Sequence, residues 1–223
     1  DMADKLEAAE DLPMALHDMI KDTIAAHKRI IFNGNGYSDE WVAEAERRGL
    51  PNIKCMVDAV PALVKPEAVE IFEKHGVYTK AEMESRAEVM YETYSKTINI
   101  EALTMIDMAK KQIVPATIKY QTSLAESVNA IKAASSAVDT SVQEALMADI
   151  STNLKDMYAA LAHLEEVAGK AEAMEEGAEQ GHYYHDVVFT AMDELRKPAD
   201  KLEMLVAKSA WPFPSYGDLI FEV

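Results

Sequence analysis

One stretch constrains the fold of this chain more than any other, because residues Thr79 to Ser135 contain no glycine. Apolar residues recur along this stretch at helical spacing, at Met83, Ala87, Met90, Tyr94, Ile98, Ala102, Met105, Ala109 and Ile113. This spacing keeps an apolar stripe on one face of a helix and does not fit a strand. Thr79 and Glu82 have the spacing of a capping box, which marks a helix start. The sequence therefore predicts a helix of roughly 85 Å, bent or broken at Pro115, since proline lacks an N–H and clashes with the preceding turn.

Two more long helices are predicted downstream, and they supply partners for the first. Apolar residues spaced by three and four predict a helix over residues 140–176. A similar pattern predicts a third helix over 180–208, with a kink at Pro198. The links, residues 135–139 and 177–181, are short, and short links make consecutive helices antiparallel neighbours. The predicted fold class is all-α, an elongated antiparallel bundle of three long helices preceded by short helices.

The regions that flank this bundle differ from it in composition. The sequence begins at Asp1 within a predicted helix, which suggests a piece of a larger protein. Pro212 and Pro214 exclude a helix through the last residues, so we expect an extended aromatic tail, too apolar to remain in water. The predicted organisation is short helices over 1–50, a connector with short helices over 51–78, the long-helix bundle over 79–208 and the extended tail over 209–223.

The charge and the cysteine content exclude several classes of function. The chain carries 22 Lys and Arg against 39 Asp and Glu, a net charge of −17. Such a chain repels phosphate backbones and anionic lipid surfaces, so we expect neither nucleic acid nor membrane as a partner. It also lacks the roughly 20-residue apolar run of a membrane helix. Cys55 is the one cysteine and cannot form an internal disulfide, which favours a reducing, cytoplasmic location.

His182 and His185 are candidate metal ligands, because they lie three residues apart near a predicted helix start. Nearby acids would add oxygen ligands, namely Glu175, Glu176, Glu179 and Asp186. We favour a solvated acidic turn here, since no HExxH motif and no ExxH from a facing helix completes a site. Glu101 lies in an apolar run, where a half-buried carboxylate would have a raised pKa. A partner across the bundle is the simpler interpretation for Glu101.

Two further features, the turn from Asn33 to Gly36 and Cys55, are candidate functional sites, and neither is assigned a function. The turn from Asn33 to Gly36 precedes a helix start at Ser38, as a phosphate-binding loop does. It follows a helix and carries no Gly-Lys-Ser/Thr ending, so a tight turn is the preferred interpretation. Cys55 has no His or Asp companion fixed by the sequence, which leaves a nucleophile role unsupported. We therefore assign no catalytic, cofactor-binding or metal-binding residue from the spacing of side chains.

Three stretches resemble a known family. They are AHKRIIFNGNGYSDEWVAEAERRGL from Ala26 to Leu50, YSKTINIEALTM from Tyr94 to Met105, and WPFPSYGDLIF from Trp211 to Phe221. Together they resemble the end of the catalytic region and the C-terminal region of type III glutamine synthetases, the large bacterial form. The matches are long and in the same order as in that family, which makes them far more specific than a short motif.

The resemblance implies a parent enzyme with several parts. Family members join ammonia to glutamate with ATP and Mg²⁺ or Mn²⁺, through a γ-glutamyl phosphate. Their fold has a β-grasp part, a catalytic α/β part and, in type III, an added helical C-terminal region. This chain resembles that last region, with residues 1–50 as a remnant of the end of the catalytic domain. The motifs that bind metal, nucleotide and glutamate have no counterpart here, so the resemblance implies a chain that is inactive alone.

The resemblance also implies a role in assembly, because family members form stacked hexameric rings. A long helical rod with an aromatic tail suits contacts between subunits of such a homo-oligomer. The tail would pack either on a neighbouring subunit or on its own bundle, and the sequence leaves both open. Two other functions remain alternatives, a stand-alone helical adaptor or signalling coiled coil, suggested by the Ala- and Ser-rich turn at 133–141, and a metal-binding bundle.

Overall fold

A computed structural model describes residues 2–221, which contain helices, turns and no strand. The predicted all-α fold class is therefore confirmed. In chain order the α-helices are α1 (Met2–Glu7), α2 (Leu12–His27), α3 (Asp39–Arg47), α4 (Met56–Leu63), α5 (Pro66–Lys74), α6 (Lys80–Met108), α7 (Val114–Ala134), α8 (Ser141–Glu172), α9 (Ala178–Tyr183), α10 (Phe189–Leu205) and α11 (Tyr216–Phe221). The chain divides after Lys54 into two compact units. The finer four-part division stays a prediction.

In the first unit, the side chain of Arg48 fixes the turn between α2 and α3. Its guanidinium donates to Glu44 Oε1 at 2.5 Å, to the Arg29 carbonyl at 3.2 Å and to the Ile31 carbonyl at 2.7 Å. Phe32 in this turn stacks on Trp41, with ring centroids 4.2 Å apart. The ring of Phe32 lies 2.5 Å from where a Cβ of residue 34 would be, which explains the glycine there.

The long helix of the second unit runs without a break from α6 into α7. Its start has the predicted capping box: the Thr79 N–H donates to Glu82 Oε2 at 2.7 Å, and the Glu82 N–H donates to Thr79 Oγ1 at 3.3 Å. A π-helical turn, Ala109–Ile113, joins the two segments just before Pro115. A π turn takes up one extra residue and displaces the carbonyl that would meet the proline ring. The wide turn thus accommodates the proline, and the helix is not broken into two.

Helix α8 lies antiparallel to this long helix. Lys132 pairs with Glu144 near the connecting turn, and Lys110 pairs with Glu165 far from it, so residue numbers fall along one helix as they rise along the other. After the next turn, the amide of Gln180 donates to the Ala171 carbonyl at 3.1 Å, and α10 then packs along α8. A π-helical turn, Tyr184–Val188, joins α9 to α10. The buried core between these helices includes Ile98, Ala102, Ile150, Met157, Leu161, Leu164, Tyr184, Val188, Leu195 and Leu202.

A smaller apolar cluster attaches α4 to the start of the long helix. Val57 and Val60 of α4 are buried against Ala87 and Tyr91 of α6. The hydroxyl of Tyr91 donates to the Val57 carbonyl at 3.4 Å. Gly181 of α9 comes close to the same place, because a Cβ there would lie 3.1 Å from the Tyr91 ring. Three helices therefore meet at one end of the bundle.

The C-terminal tail differs from the extended segment predicted for 209–223. Trp211 and Phe213 pack against the core of the bundle in irregular conformation, but α11 follows them. Ser215 starts this helical turn, because its N–H donates to Asp218 Oδ2 at 2.8 Å and its hydroxyl accepts from the Asp218 N–H at 3.4 Å. The prolines exclude a helix only through themselves, and a new cap directly after them begins another. Residues 222–223 lie outside the described range.

Candidate functional site

The two histidines singled out in the sequence face different carboxylates. His182 Nδ1 lies 3.9 Å from Asp58 Oδ1, and His185 Nδ1 lies 2.7 Å from Asp186 Oδ1. In the part of the chain that the structure describes, no three His, Cys, Asp or Glu side chains come together as metal ligands. Each histidine therefore has a carboxylate partner from the protein, and the absence of a metal site at this pair stays a prediction.

Two interpretations were considered for Glu101, a half-buried carboxylate and a residue with a partner across the bundle, and the half-buried position is not observed. Its side chain is exposed, because the buried stripe of α6 passes through Ile98 and Ala102 and leaves the glutamate outside it. The nearby Asp107 pairs with Lys111 one helical turn away, as acids and bases at this spacing commonly do. Glu101 is therefore a surface carboxylate.

Cys55 is partly buried at the start of α4 and does have a companion that the sequence left unassigned. Its thiol donates to Asp58 Oδ2 at 3.0 Å. Burial, and then this hydrogen bond to the aspartate, raise the pKa of the Cys55 thiol. Because the thiolate is the nucleophilic form of cysteine, this environment disfavours reactivity.

The turn at Asn33 to Gly36 uses its own polar groups. Asn35 Oδ1 accepts from the Tyr37 N–H at 3.0 Å, and the Asn35 carbonyl accepts from the Ser38 hydroxyl at 3.1 Å. Ser38 then caps α3, and hydrogen bonds from the Glu40 backbone and from Ser38 lower the pKa of the Glu40 carboxyl. Protein acceptors thus occupy donors at this helix start, as in an ordinary capped turn.

A cavity of about 430 Å³ lies between the bundle and the C-terminal tail. Its wall is mostly apolar and includes Met105, Met108, Ile113, Met157, Leu195, Trp211 and Phe213. Arg196 and Asp200 stand in the same wall, with Arg196 Nε 3.3 Å from Asp200 Oδ2. Trp211 and Phe213, in the first half of the tail, therefore pack on their own bundle. The sequence had left open whether the tail packs there or on a neighbouring subunit.

The last turn of the tail is held in place but keeps its apolar side chains outside. Lys208 Nζ lies 2.5 Å from Asp218 Oδ1, and hydrogen bonds from Lys208 and then Ser215 lower the pKa of the Asp218 carboxyl to about 2. Leu219, Ile220 and Phe221 are nevertheless 60 %, 67 % and 80 % exposed. An apolar surface fixed by polar contacts beside it is typical of a protein contact site. The apolar composition of the tail predicted a contact surface here, but it did not predict the helix cap at Ser215.

The first unit presents a second apolar surface, along α2. This helix buries none of its residues, and Leu16, Ile20 and Ile24 are each about half exposed. Next to it, a cleft is lined by five basic residues, Lys21, Lys28, Arg29, Arg47 and Arg48. Leu16, Ile20 and Ile24 are four residues apart in the sequence, which fits one face of a helix. This spacing does not show that the face lies open within the unit.

Within residues 2–221, no helix combines the length and apolar character that crossing a membrane requires. The charged and apolar surfaces described above lie along or beside α2 and at α11. Their arrangement offers contact surfaces, and the titratable groups with shifted pKa values serve as caps, ion pairs or buried core groups.

Comparisons with known proteins identify the family. A family model described as the glutamine synthetase C-terminal domain matches residues 15–132. A glutamine synthetase of Butyrivibrio fibrisolvens is 37 % identical over 216 residues, 97 % of this chain and 31 % of that protein. The type-3 glutamine synthetase of Dictyostelium discoideum and a glutamine synthetase of Bacteroides fragilis (strain YCH46) are each 29 % identical over 211 residues, 93 % of this chain and 29 % of theirs.

The chain thus spans less than a third of the length of the curated relatives it matches. The family model covers just over half of the chain, and the Butyrivibrio relative matches nearly all of it at more than 30 % identity. The resemblance stated from the three sequence stretches is confirmed, and this chain belongs to the glutamine synthetase C-terminal domain family.

Proposed function

We propose that the chain is the helical C-terminal region of a glutamine synthetase, which joins ammonia to glutamate with ATP and Mg²⁺ or Mn²⁺. Support comes from the match along 97 % of the chain to about a third of the Butyrivibrio enzyme. The proposal places the protein in the cytoplasm, where a lone cysteine such as Cys55 stays reduced.

Within such an enzyme, the role proposed for this region is structural and not catalytic. The carboxyls whose pKa values are lowered owe the shift to helix caps and to neighbouring lysine or arginine side chains. Glu44 is an example: hydrogen bonds from Arg47 and then Arg48 lower its pKa to about 2, and Arg48 also fixes the preceding turn. Glu82 is another, since its pKa is lowered by the capping box at Thr79.

One observation carries the proposal that this region takes part in subunit assembly. The final turn of the tail exposes Leu219, Ile220 and Phe221 while Lys208 and Ser215 hold it in place. Fixing such a turn before binding lowers the conformational entropy that an interface must overcome. The partners proposed are other subunits of the same homo-oligomer, arranged as stacked hexameric rings.

The open apolar face of α2 has a related role in this proposal. Residues 1–50 are proposed to be the end of the catalytic domain. In that arrangement Leu16, Ile20 and Ile24 pack on the rest of the catalytic domain. Their exposure in this unit supports that placement, because a contiguous apolar helix face normally has a partner.

The assembly proposal is tested in a full-length glutamine synthetase that contains this sequence. The variant Ile220→Ser/Phe221→Ser removes apolar surface and leaves Trp211, Lys208 and Asp218 in place. We expect multi-angle light scattering to show a lower oligomer mass at micromolar enzyme. Val142→Ser is the matched control, since Val142 is 69 % exposed on α8, and it should keep the full mass. An unchanged mass after deletion of residues 211–223 would refute the assembly role of the tail.

A further inference from the structure

The cavity between the bundle and the C-terminal tail is larger than the voids that ordinary packing leaves. Its volume is about 430 Å³, whereas well-packed protein interiors contain few voids larger than a water molecule. Part of its wall is buried core, namely Ala109, Ile113, Met157 and Leu195, each at most 9 % exposed. Trp211 and Phe213 of the tail complete the apolar wall. None of the functional roles discussed above uses this cavity.

The buried part of the wall favours an apolar occupant over water. Its alanine, isoleucine, methionine and leucine side chains offer no strong hydrogen-bond donor or acceptor. A bound water molecule needs about two to four polar partners, so cavities lined in this way stay dry and take up apolar molecules.

The volume sets the size of that occupant. A cavity of about 150 Å³ holds benzene, so by proportion 430 Å³ accommodates roughly seventeen non-hydrogen atoms. This is the size of a molecule with two or three linked rings.

Three methionines and two aromatic rings in the wall favour an aromatic occupant over an aliphatic one. The methionines are Met105, Met108 and Met157, and the rings of Trp211 and Phe213 stand edge to face with centroids 6.3 Å apart. Thioether sulfur atoms and aromatic edges both attract a further aromatic ring. A saturated ring of the same size gains only from the burial of its surface.

The charged residues of the wall disfavour an anion. They are Arg196, Asp200 and Glu203. Arg196 Nε lies 3.3 Å from Asp200 Oδ2, whereas Glu203 has no ion-pair partner among the described residues. A ligand with a carboxylate or sulfonate group would therefore meet an excess of negative charge at the wall, on a chain whose net charge is −17.

We propose that this cavity binds a neutral aromatic molecule of two or three linked rings, which lies among the three methionines and against Trp211 and Phe213. A second copy of the chain matches the cavity less well. The exposed Phe221 of such a copy carries one ring the size of benzene, which would leave more than half of the volume unfilled. Neither Ile220 nor Phe221 lines the cavity, so the inference does not depend on the proposed role of the tail in assembly.

A fluorescence titration of the 223-residue chain tests the proposal, with N-phenyl-1-naphthylamine as the probe. This neutral molecule has the expected size, and its emission rises in apolar surroundings. We expect saturable binding of one probe per chain. The matched anion is 8-anilino-1-naphthalenesulfonate, which has the same rings and a sulfonate group and should bind at least tenfold more weakly. No saturable binding of the neutral probe, or equal binding of the anion, overturns the proposal.

Competition tests the preference for aromatic rings. 1-Naphthol and decahydro-1-naphthol have the same carbon skeleton and hydroxyl group, and only the first is aromatic. We expect 1-naphthol to displace the probe at a concentration at least threefold lower than decahydro-1-naphthol does. Equal displacement by the two alcohols would overturn the aromatic class of ligand.

A variant that fills the cavity connects the binding to this place. Ala199 is a partly buried residue of the wall on α10, so Ala199→Phe puts a ring into the cavity and should weaken binding of the neutral probe at least tenfold. Ala130→Phe adds the same ring at an exposed position of α7 outside the cavity and should leave the affinity within twofold of the parent chain. Equal affinities in the two variants would overturn the proposed site.

A second variant keeps the test valid if Ala199→Phe does not fold, as thermal melting would show. Met108→Leu conserves the volume of the side chain and should fold, because such exchanges are well tolerated. The loss of the sulfur atom should weaken probe binding about threefold. Met90→Leu is the control, since Met90 is partly buried against the smaller apolar cluster, and it should leave the affinity unchanged. Equal affinities in these two variants would overturn the proposed placement of the ligand.

The tail variant Ile220→Ser/Phe221→Ser separates this site from a contact between copies of the chain. Because both residues lie outside the wall, the variant should bind the neutral probe within twofold of the parent chain, whether or not the oligomer mass of the full-length enzyme changes. A tenfold loss of probe binding in this variant would show that the probe reports on the apolar surface of the tail, and would overturn the cavity as the binding site.

Discussion

Thr117 buries its side chain completely on α7, and its hydroxyl has no hydrogen-bond partner among the described residues. Valine has the same shape without the hydroxyl, so Thr117→Val removes an unpaired polar group and opens no cavity. We expect the free energy of unfolding to rise by about 1 kcal/mol, measured by chemical denaturation.

Thr122→Val is the control for this substitution, because Thr122 lies on the same helix but is exposed and donates to the Ile118 carbonyl at 3.0 Å. Its effect should stay within about 0.5 kcal/mol. A loss of stability in Thr117→Val larger than in the control would mean that the buried hydroxyl has a bound partner.

Single residues also show where sequence reasoning stops. The capping box at Thr79 and Glu82 was predictable, because both halves of the motif are local. The exposure of Glu101 was not, because an apolar run does not reveal which of its residues the partner helices cover. Ile100 and Leu103 of the same run are also exposed.

Among the elements, the last helical turn depends on Asp218. Asp218→Asn removes the ion pair with Lys208 and weakens the cap at Ser215. We expect the amide chemical shifts of residues 215–221 in ¹H–¹⁵N NMR spectra to move toward random-coil values. Asp193→Asn is the control, because Asp193 also pairs with a lysine, Lys197, but on the exposed face of α10. Unchanged shifts in Asp218→Asn would contradict this role.

The pH dependence of the same turn follows from the depressed pKa of Asp218. Its folded value of about 2 lies below the ordinary value of 3.8, so the stabilisation is present above about pH 4 and is lost as the pH falls through 2. The spectra of the parent chain and of Asp218→Asn should therefore differ at pH 5, converge as the pH falls through 2, and become alike only below it.

The observed helices differ from the predicted ones mainly where the chain contains a proline. Pro115 was predicted to bend or break the long helix, and Pro212 and Pro214 were predicted to exclude a helix through the last residues. How the chain responds to a proline depends on its neighbours, since a π turn absorbs the first and a serine cap restarts the helix after the others. Composition and periodicity carry no information on such local adjustments.

Across the whole molecule, the all-α class was predictable because long amphipathic runs have one favourable way to bury their apolar faces. The cavity between the bundle and the C-terminal tail was not, although Met105 in its wall lies within one of the stretches that resemble the family. It forms where α6, α8 and α10 meet the tail, and spacing along one helix does not show what faces it.

The structural role proposed for the whole chain predicts that these 223 residues do not make glutamine by themselves. Phosphoryl transfer to glutamate needs metal ions and cationic groups arranged around the transferred phosphate, whereas the shifted carboxyls here are committed to caps and ion pairs, such as Glu44 with Arg47 and Arg48. An assay with glutamate, ammonia, ATP and Mg²⁺ should detect no glutamine from the chain. The full-length enzyme that contains this chain, assayed in parallel, should form glutamine. Glutamine formed in proportion to the amount of isolated chain would contradict the structural role, and would require a catalytic group that the contacts of these helices do not suggest.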